Sequence, residues 1–230
     1  MRSIQSKRSV WATPAALLAL SLVPAIAGTA RVAELARGAH ITPDNARFFA
    51  MPLPVVLHVV SVVIYSMLGA FQFSDALRRR WRGWHRRAGR LLVVCGAVAA
   101  LSGLWMAQVY PWPAGDGVGV YLERMIFGVG MLWSLGAALI AIGQRDFAAH
   151  GRWMIRAYAI GLGAGTQVFT HLPWFIFAHE KPGETARTVM MGAGWMINVC
   201  VAEWIIARGR ARETRSAASR AAGTPTTVFG

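Results

Sequence analysis

Six apolar runs, each about 20 residues long or more, follow one another along the chain, with polar or basic segments between them. They lie at about 11–35, 53–77, 91–110, 125–143, 153–177 and 188–207. About 20 consecutive apolar residues is the length of a helix that spans a bilayer's hydrocarbon core. A chain crossing lipid must satisfy its own backbone hydrogen bonds, so each run reads as an α-helix. The pattern predicts an all-α polytopic membrane protein. A six-transmembrane-helix bundle occupies 11–207, a short basic N-terminus 1–10 and a basic tail 208–230. The tail carries Arg208, Arg210, Arg212, Arg215 and Arg220, then Ser, Ala, Gly and Thr with no apolar periodicity, and reads as disordered.

The boundaries have local signals. The first run has the outline of a signal peptide, with Ala25-Ile26-Ala27 imitating a cleavage site. It continues apolar past that site, which favours a retained helix, and Pro24 predicts a kink in it. Tyr110-Pro111-Trp112-Pro113, followed by Gly115, Gly117 and Gly119, predicts a turn-rich loop. Gly161 and Gly165 form a GxxxG pair that predicts close packing between helices of this chain rather than a dimer face.

Charge changes the picture by its placement. The chain is 55% hydrophobic and 15% charged, against about a quarter charged in soluble domains. Its mean hydropathy is +0.42. The net charge of +14 lies between apolar runs and not along one soluble face. That points to anionic lipid headgroups, not nucleic acid. Six spans put both termini on one side. On that side lie three basic residues at the N-terminus, seven in 78–90, which reads as a loop, three in or just after the loop before span five (Arg145, Arg152, Arg156) and five in the tail. The other side has six. The positive-inside rule therefore places both termini in the cytoplasm. Cys95 and Cys200 fall inside apolar runs and read as thiols used as small apolar residues.

Polar residues inside a span are costly, so each calls for a partner or a role. His58 lies roughly 7 Å and His171 roughly 9 Å below the outer ends of spans two and five, at 1.5 Å per residue. His85 and His150 sit at the cytoplasmic ends of spans three and five. Two histidines on facing helices at one depth can clamp a haem iron, and two such haems make a wire for electrons across the bilayer. The plainer reading is four histidines satisfied by neighbouring helices or by the interface. Asp75 and Glu203 lie near the cytoplasmic helix ends, within reach of Arg90, Arg152 or Arg156. They predict a polar network of Asp75, Arg90, Arg156 and Glu203, either structural or handling protons or anions. Asn198, mid-span six, reads as interhelical glue. No Walker loop, strand-preceded GxGxxG, HExxH or GxSxG stands in the sequence, so nothing supports a soluble-type enzyme site.

His85-Arg86-Arg87-Ala88-Gly89-Arg90 resembles the H-R-x-x-G-R motif of domain-of-unknown-function family 2306, a family of predicted bacterial multi-pass membrane proteins. Gly69-Ala70-Phe71-Gln72-Phe73, Ser102-Gly103, Asp146-Phe147-Ala148-Ala149-His150, Arg152-Trp153-Met154-Ile155-Arg156, Tyr158 and Ala202-Glu203-Trp204 fit the same pattern, over about 58–206. Gly151 and Gln167 depart from it, and His171 is not part of it. The resemblance implies a bacterial inner-membrane protein in which His58, His85, Arg90, His150, Arg156 and Glu203 matter together. It implies no function by itself.

Two expectations follow. One is a haem b-type transmembrane electron carrier with His58 and His171, and His85 and His150, as axial ligands, working with a redox partner. The other is a cofactor-free membrane module: a small-solute or proton pathway, or a structural or partner-binding protein; a homodimer is the alternative to a redox partner.

Overall fold

The computed structural model describes residues 9–178 and 180–222, and the regular structure there is helical throughout. Helix α1 (Ser9–Arg37) runs on through Pro14 and Pro24. A short α2 (Ala46–Ala50) leads into α3 (Pro52–Gly69). Pro52 opens α3 at the position where a missing N–H costs nothing. A 3-10 turn (Ala70–Phe73) and α4 (Asp75–Arg80) precede α5 (Arg82–Val109). Then come α6 (Val118–Gly143), α7 (Phe147–Gly161), α8 (Gly163–Phe177) and α9 (Glu184–Ala222). Five of these, α1, α3 with its 3-10 turn, α5, α6 and α9, are long and apolar enough to cross a membrane.

Three expectations are corrected. The arginine-rich stretch 78–90 is not a loop: it fills the end of α4 and the first turns of α5, with one break at Trp81. Arginine is a good helix former, and flanking helices extend through it. The fifth run is two 15-residue helices meeting at Leu162. The tail is helical as far as Ala222, where alanine and arginine supply propensity without apolar periodicity and Arg208 stacks 3.8 Å over the Trp204 ring. The rest of the tail, residues 1–8 and His179 lie outside the described residues.

The core lies between α3, α5, α6 and α7, around Tyr65, Leu92, Met131, Leu135 and Tyr158. The faces turned outward carry large apolar side chains, Trp133 at 72% and Ile126 at 65% exposure among them. Such a surface suits lipid and would be a liability in water. Glycines let the helices close on the core. A Cβ on Gly96 or on Gly161 would stand 2.8 Å from the Tyr65 ring, so the ring is slotted between α5 and α7. Gly165 lies against Leu20 of α1. Both members of the GxxxG pair therefore serve contacts within the chain.

The break at Leu162 is held by α9. Asn198 Nδ2 donates to the Ala159 carbonyl at 3.0 Å, and Thr166 Oγ1 donates to Asn198 Oδ1 at 2.6 Å. In an unbroken helix the Ala159 carbonyl would accept from Gly163; the asparagine takes that role.

Candidate functional site

The helices enclose a cavity of about 350 Å³. Its walls come from α3, α5, α6, α7, α8 and α9, and α2 with the 110–113 turn lines the end beyond the helix termini, its mouth. Small residues make the space: Ala99, Ala100, Gly103, Gly128, Gly161 and Ala164 line it. Leu104, Phe127, Met131, Ile160 and Trp195 give it an apolar surface.

His58 and Tyr65 are the polar residues in its wall from α3. His58 Nδ1 lies 2.9 Å from the Ala99 carbonyl and 3.3 Å from Ser102 Oγ. Ser102 Oγ itself donates to the Val98 carbonyl at 2.6 Å. A carbonyl only accepts, so Nδ1 carries the proton and Nε2 is left as an acceptor. Gly103 keeps α5 close to the ring, since a Cβ there would stand 3.2 Å from His58 Cε1. Deeper in the wall, the Tyr65 hydroxyl is buried with no partner among the described residues. Gln167 reaches across from α8 to the Met191 carbonyl at 3.2 Å.

The mouth is basic. Arg47 and Arg124 line it. Asp116, whose side chain is sealed from solvent, holds Arg124 at 2.7 Å and also pairs with Arg187. This one carboxylate ties the α5–α6 loop to α6 and to the start of α9. Arg47 is stacked over Phe48 at 4.7 Å and forms no ion pair among the described residues. Burial pulls its guanidinium below the ordinary range, as do the charges of Arg124 and Arg31, against the opposing pull of Asp116 and Asp44. The Tyr110 hydroxyl closes the rim by donating to the Met51 carbonyl at 2.5 Å.

The histidines of the proposed outer pair are placed differently. His171 does not line the cavity. It donates Nδ1–H to the Gln167 carbonyl of its own helix at 2.8 Å and stacks on Phe175. No hydrogen bond or ring contact joins it to His58 among the described residues. The pair at the opposite end is closer: His85 and His150 lie near enough for charge on one to be felt at the other. His150 Nδ1 donates to the Ala138 carbonyl of α6 at 3.0 Å, while His85 Nδ1 is buried without a partner among the described residues. Asp146 caps α7 by accepting from Ala149 N–H at 2.8 Å, which fixes the turn that presents His150.

The acidic and basic residues of the expected network divide. Arg156 and Glu203 form a two-pronged pair, Nε to Oε1 at 2.5 Å and Nη2 to Oε2 at 2.9 Å, joining α7 to α9. Asp75 instead pairs with Arg78 of its own helix at 2.6 Å. Arg90 is exposed and forms no ion pair among the described residues. His40 is exposed.

Sequence reasoning missed the mouth. Arg47 and Arg124 read there as basic residues of the outer side, and Asp116 went unnoticed. The available signal was an acid between two glycines, Gly115 and Gly117, with Arg124 two helical turns beyond it.

No curated protein and no solved structure matches the chain. The cavity walls taken from α3, α5, α6, α7, α8 and α9 fall almost wholly in the segment 55–206, which matches the model of a family described as predicted membrane protein (DUF2306). On that match the chain belongs to the DUF2306 family of predicted membrane proteins.

Proposed function

We propose that this protein is a cofactor-free membrane module whose central cavity admits a small solute from one side of the bilayer. Six crossings, with α7 and α8 together making the fifth, put the arginine-rich helix ends and both termini in the cytoplasm of a bacterial inner membrane. Anionic headgroups meet those arginines there. The cavity then faces outward. One observation carries this reading: an apolar cavity in the range of small-molecule pockets, with few polar groups converging on it and a basic mouth.

Directional labelling tests it. Ala164 lines the cavity, whereas Cys95 and Cys200 do not. Ala164→Cys should add labelling by a membrane-impermeant thiol reagent applied to the outer face of cells. Labelling only from inside-out vesicles, or only in detergent, would refute the outward cavity.

One feature favours a second reading, haem. His58 gives its Nδ1 proton to a carbonyl and leaves Nε2 free, as metal-ligating histidines do. The mouth arginines suit propionates. With His171 away from the cavity, Met106, Met131 or Met191 in its wall would supply the second ligand, but about 350 Å³ takes a haem only if the helices part.

A further inference from the structure

We propose that the cavity's ligand is a single-chain amphipathic anion, with its charged head at Arg47 and Arg124 and its apolar tail against Met131 and Trp195. The inference rests on the cavity being a ligand site, as proposed above, and adds the chemistry of the ligand.

The unpaired guanidinium of Arg47 in the cavity wall carries it. Arg31, Arg47, Arg124 and Arg187 gather there. Asp116 is shared by Arg124 and Arg187, and Glu34 is taken by Arg31 at 2.5 Å. Of these four, Arg47 forms no ion pair among the described residues; Asp44 and Asp116 pull on its charge but neither bonds to it. Its side chain donates no hydrogen bond among the described residues, although a guanidinium has five donors. A half-buried cation in this state is costly unless something pairs with it. Stacking on Phe48 holds the guanidinium at the mouth. A carboxylate or phosphate entering there would accept two parallel N–H bonds from it.

Below the mouth the chemistry changes. The walls are mostly methionine, leucine, isoleucine and aromatic rings, and the polar groups among them are few: His58, the Tyr65 hydroxyl and Gln167. A wholly polar anion such as a sugar acid would leave most of its hydroxyls unpaired against that wall. At about 30 Å³ per water-sized group, the volume takes a tail on the order of ten carbons. A two-chain phospholipid exceeds it.

The test is equilibrium binding to the full chain in lipid nanodiscs, with protein-free nanodiscs subtracted. Labelled decanoate, decyl phosphate and the neutral decanol are compared on the wild type, Arg47→Gln and Ala164→Trp, whose folding is checked by thermal melts. The expected result is saturable binding of at least one anion, at least tenfold tighter than decanol, with Arg47→Gln removing that preference and leaving decanol unchanged. A factor of ten is about one charge-assisted hydrogen bond. Tighter decanoate identifies a carboxylate, tighter decyl phosphate a phosphate monoester, and either upholds the proposal. Equal binding of all three probes, abolished by Ala164→Trp, would overturn the anion while leaving the cavity reading intact. A preference that survives Arg47→Gln, or no saturable binding, would overturn the proposal too. If Ala164→Trp does not fold, the Arg47→Gln comparison decides alone.

Discussion

The Ala99 carbonyl fixes the tautomer of His58, a residue of the cavity wall: it accepts the Nδ1 proton at 2.9 Å and leaves Nε2 without a hydrogen bond among the described residues. The same arrangement serves a helix-packing histidine and a metal ligand, and spectroscopy separates them. In the cofactor-free reading, protein made in a haem-replete host gives a flat dithionite-reduced minus oxidised spectrum, and His58→Ala changes only stability, by about 1 kcal/mol for one interhelical bond. Sharp α and β bands in the wild type, lost in His58→Ala, would establish haem instead.

Tyr158 is the pin of the α3 terminus. Its hydroxyl donates to the Ser66 carbonyl at 2.6 Å, and its ring packs on Phe73 at 4.7 Å between centroids. Gly69 lies under that ring with no room for a Cβ. Gly69→Ala should therefore destabilise the protein by about 1–3 kcal/mol through overpacking, and Tyr158→Phe by about 1–2 kcal/mol through the lost bond. Gly69→Ala combined with Tyr158→Leu should cost less than the sum of Gly69→Ala alone and Tyr158→Leu alone, because the smaller side chain relieves the clash. Melting in detergent gives all four corners of the cycle. Strict additivity would show that the two residues are not coupled.

How much of this stood in the sequence depends on the kind of signal. The apolar runs placed the helices because lipid imposes length and composition on every crossing. His85 and His150 were legible as neighbours because both stand beside basic helix starts. An acid near a helix end needs a cation, which put Arg90, Arg152 and Arg156 within reach of Glu203 without choosing among them; Arg156 is the partner. The partner of Asp75 was not legible: Arg78 sits three residues away on its own helix and satisfied it first. The break at Leu162 was also hidden, since Gly161-Leu162-Gly163 carries no proline and an apolar run looks the same whole or broken. The mouth needed residues from 47, 116, 124 and 187 to meet, and no local spacing announces that.

The Arg156–Glu203 pair ties α7 to α9 with parallel hydrogen bonds. Its Glu203 side chain is 47% exposed, so its worth is set by the surface end of the range. Glu203→Gln should lower stability by about 1 kcal/mol. Arg156→Lys should recover little of the interaction, because an ammonium does not reproduce the fork. A Lys variant as stable as the wild type would show that charge alone holds the two helices.

Asn198 links the backbone break to the cavity. It binds both Ala159 and Thr166 across Leu162, and the residues flanking that break are cavity walls: Ile160, Gly161 and Ala164. Asn198→Leu removes two interhelical bonds, worth about 0.6 kcal/mol each in membrane proteins, so a loss of about 1 kcal/mol is expected. Thr166→Val removes one and should cost about half as much. The more telling readout is the cavity. With the Ala159 carbonyl released, the α7–α8 junction is free to straighten, which would withdraw Gly161 from the Tyr65 ring. Labelling of Ala164→Cys from the outer face should then change in rate in the Asn198→Leu background, and change less with Thr166→Val. An unchanged labelling rate at equal protein stability would mean that α9 holds the break passively and that the cavity's shape is set by α3, α5 and α6 alone.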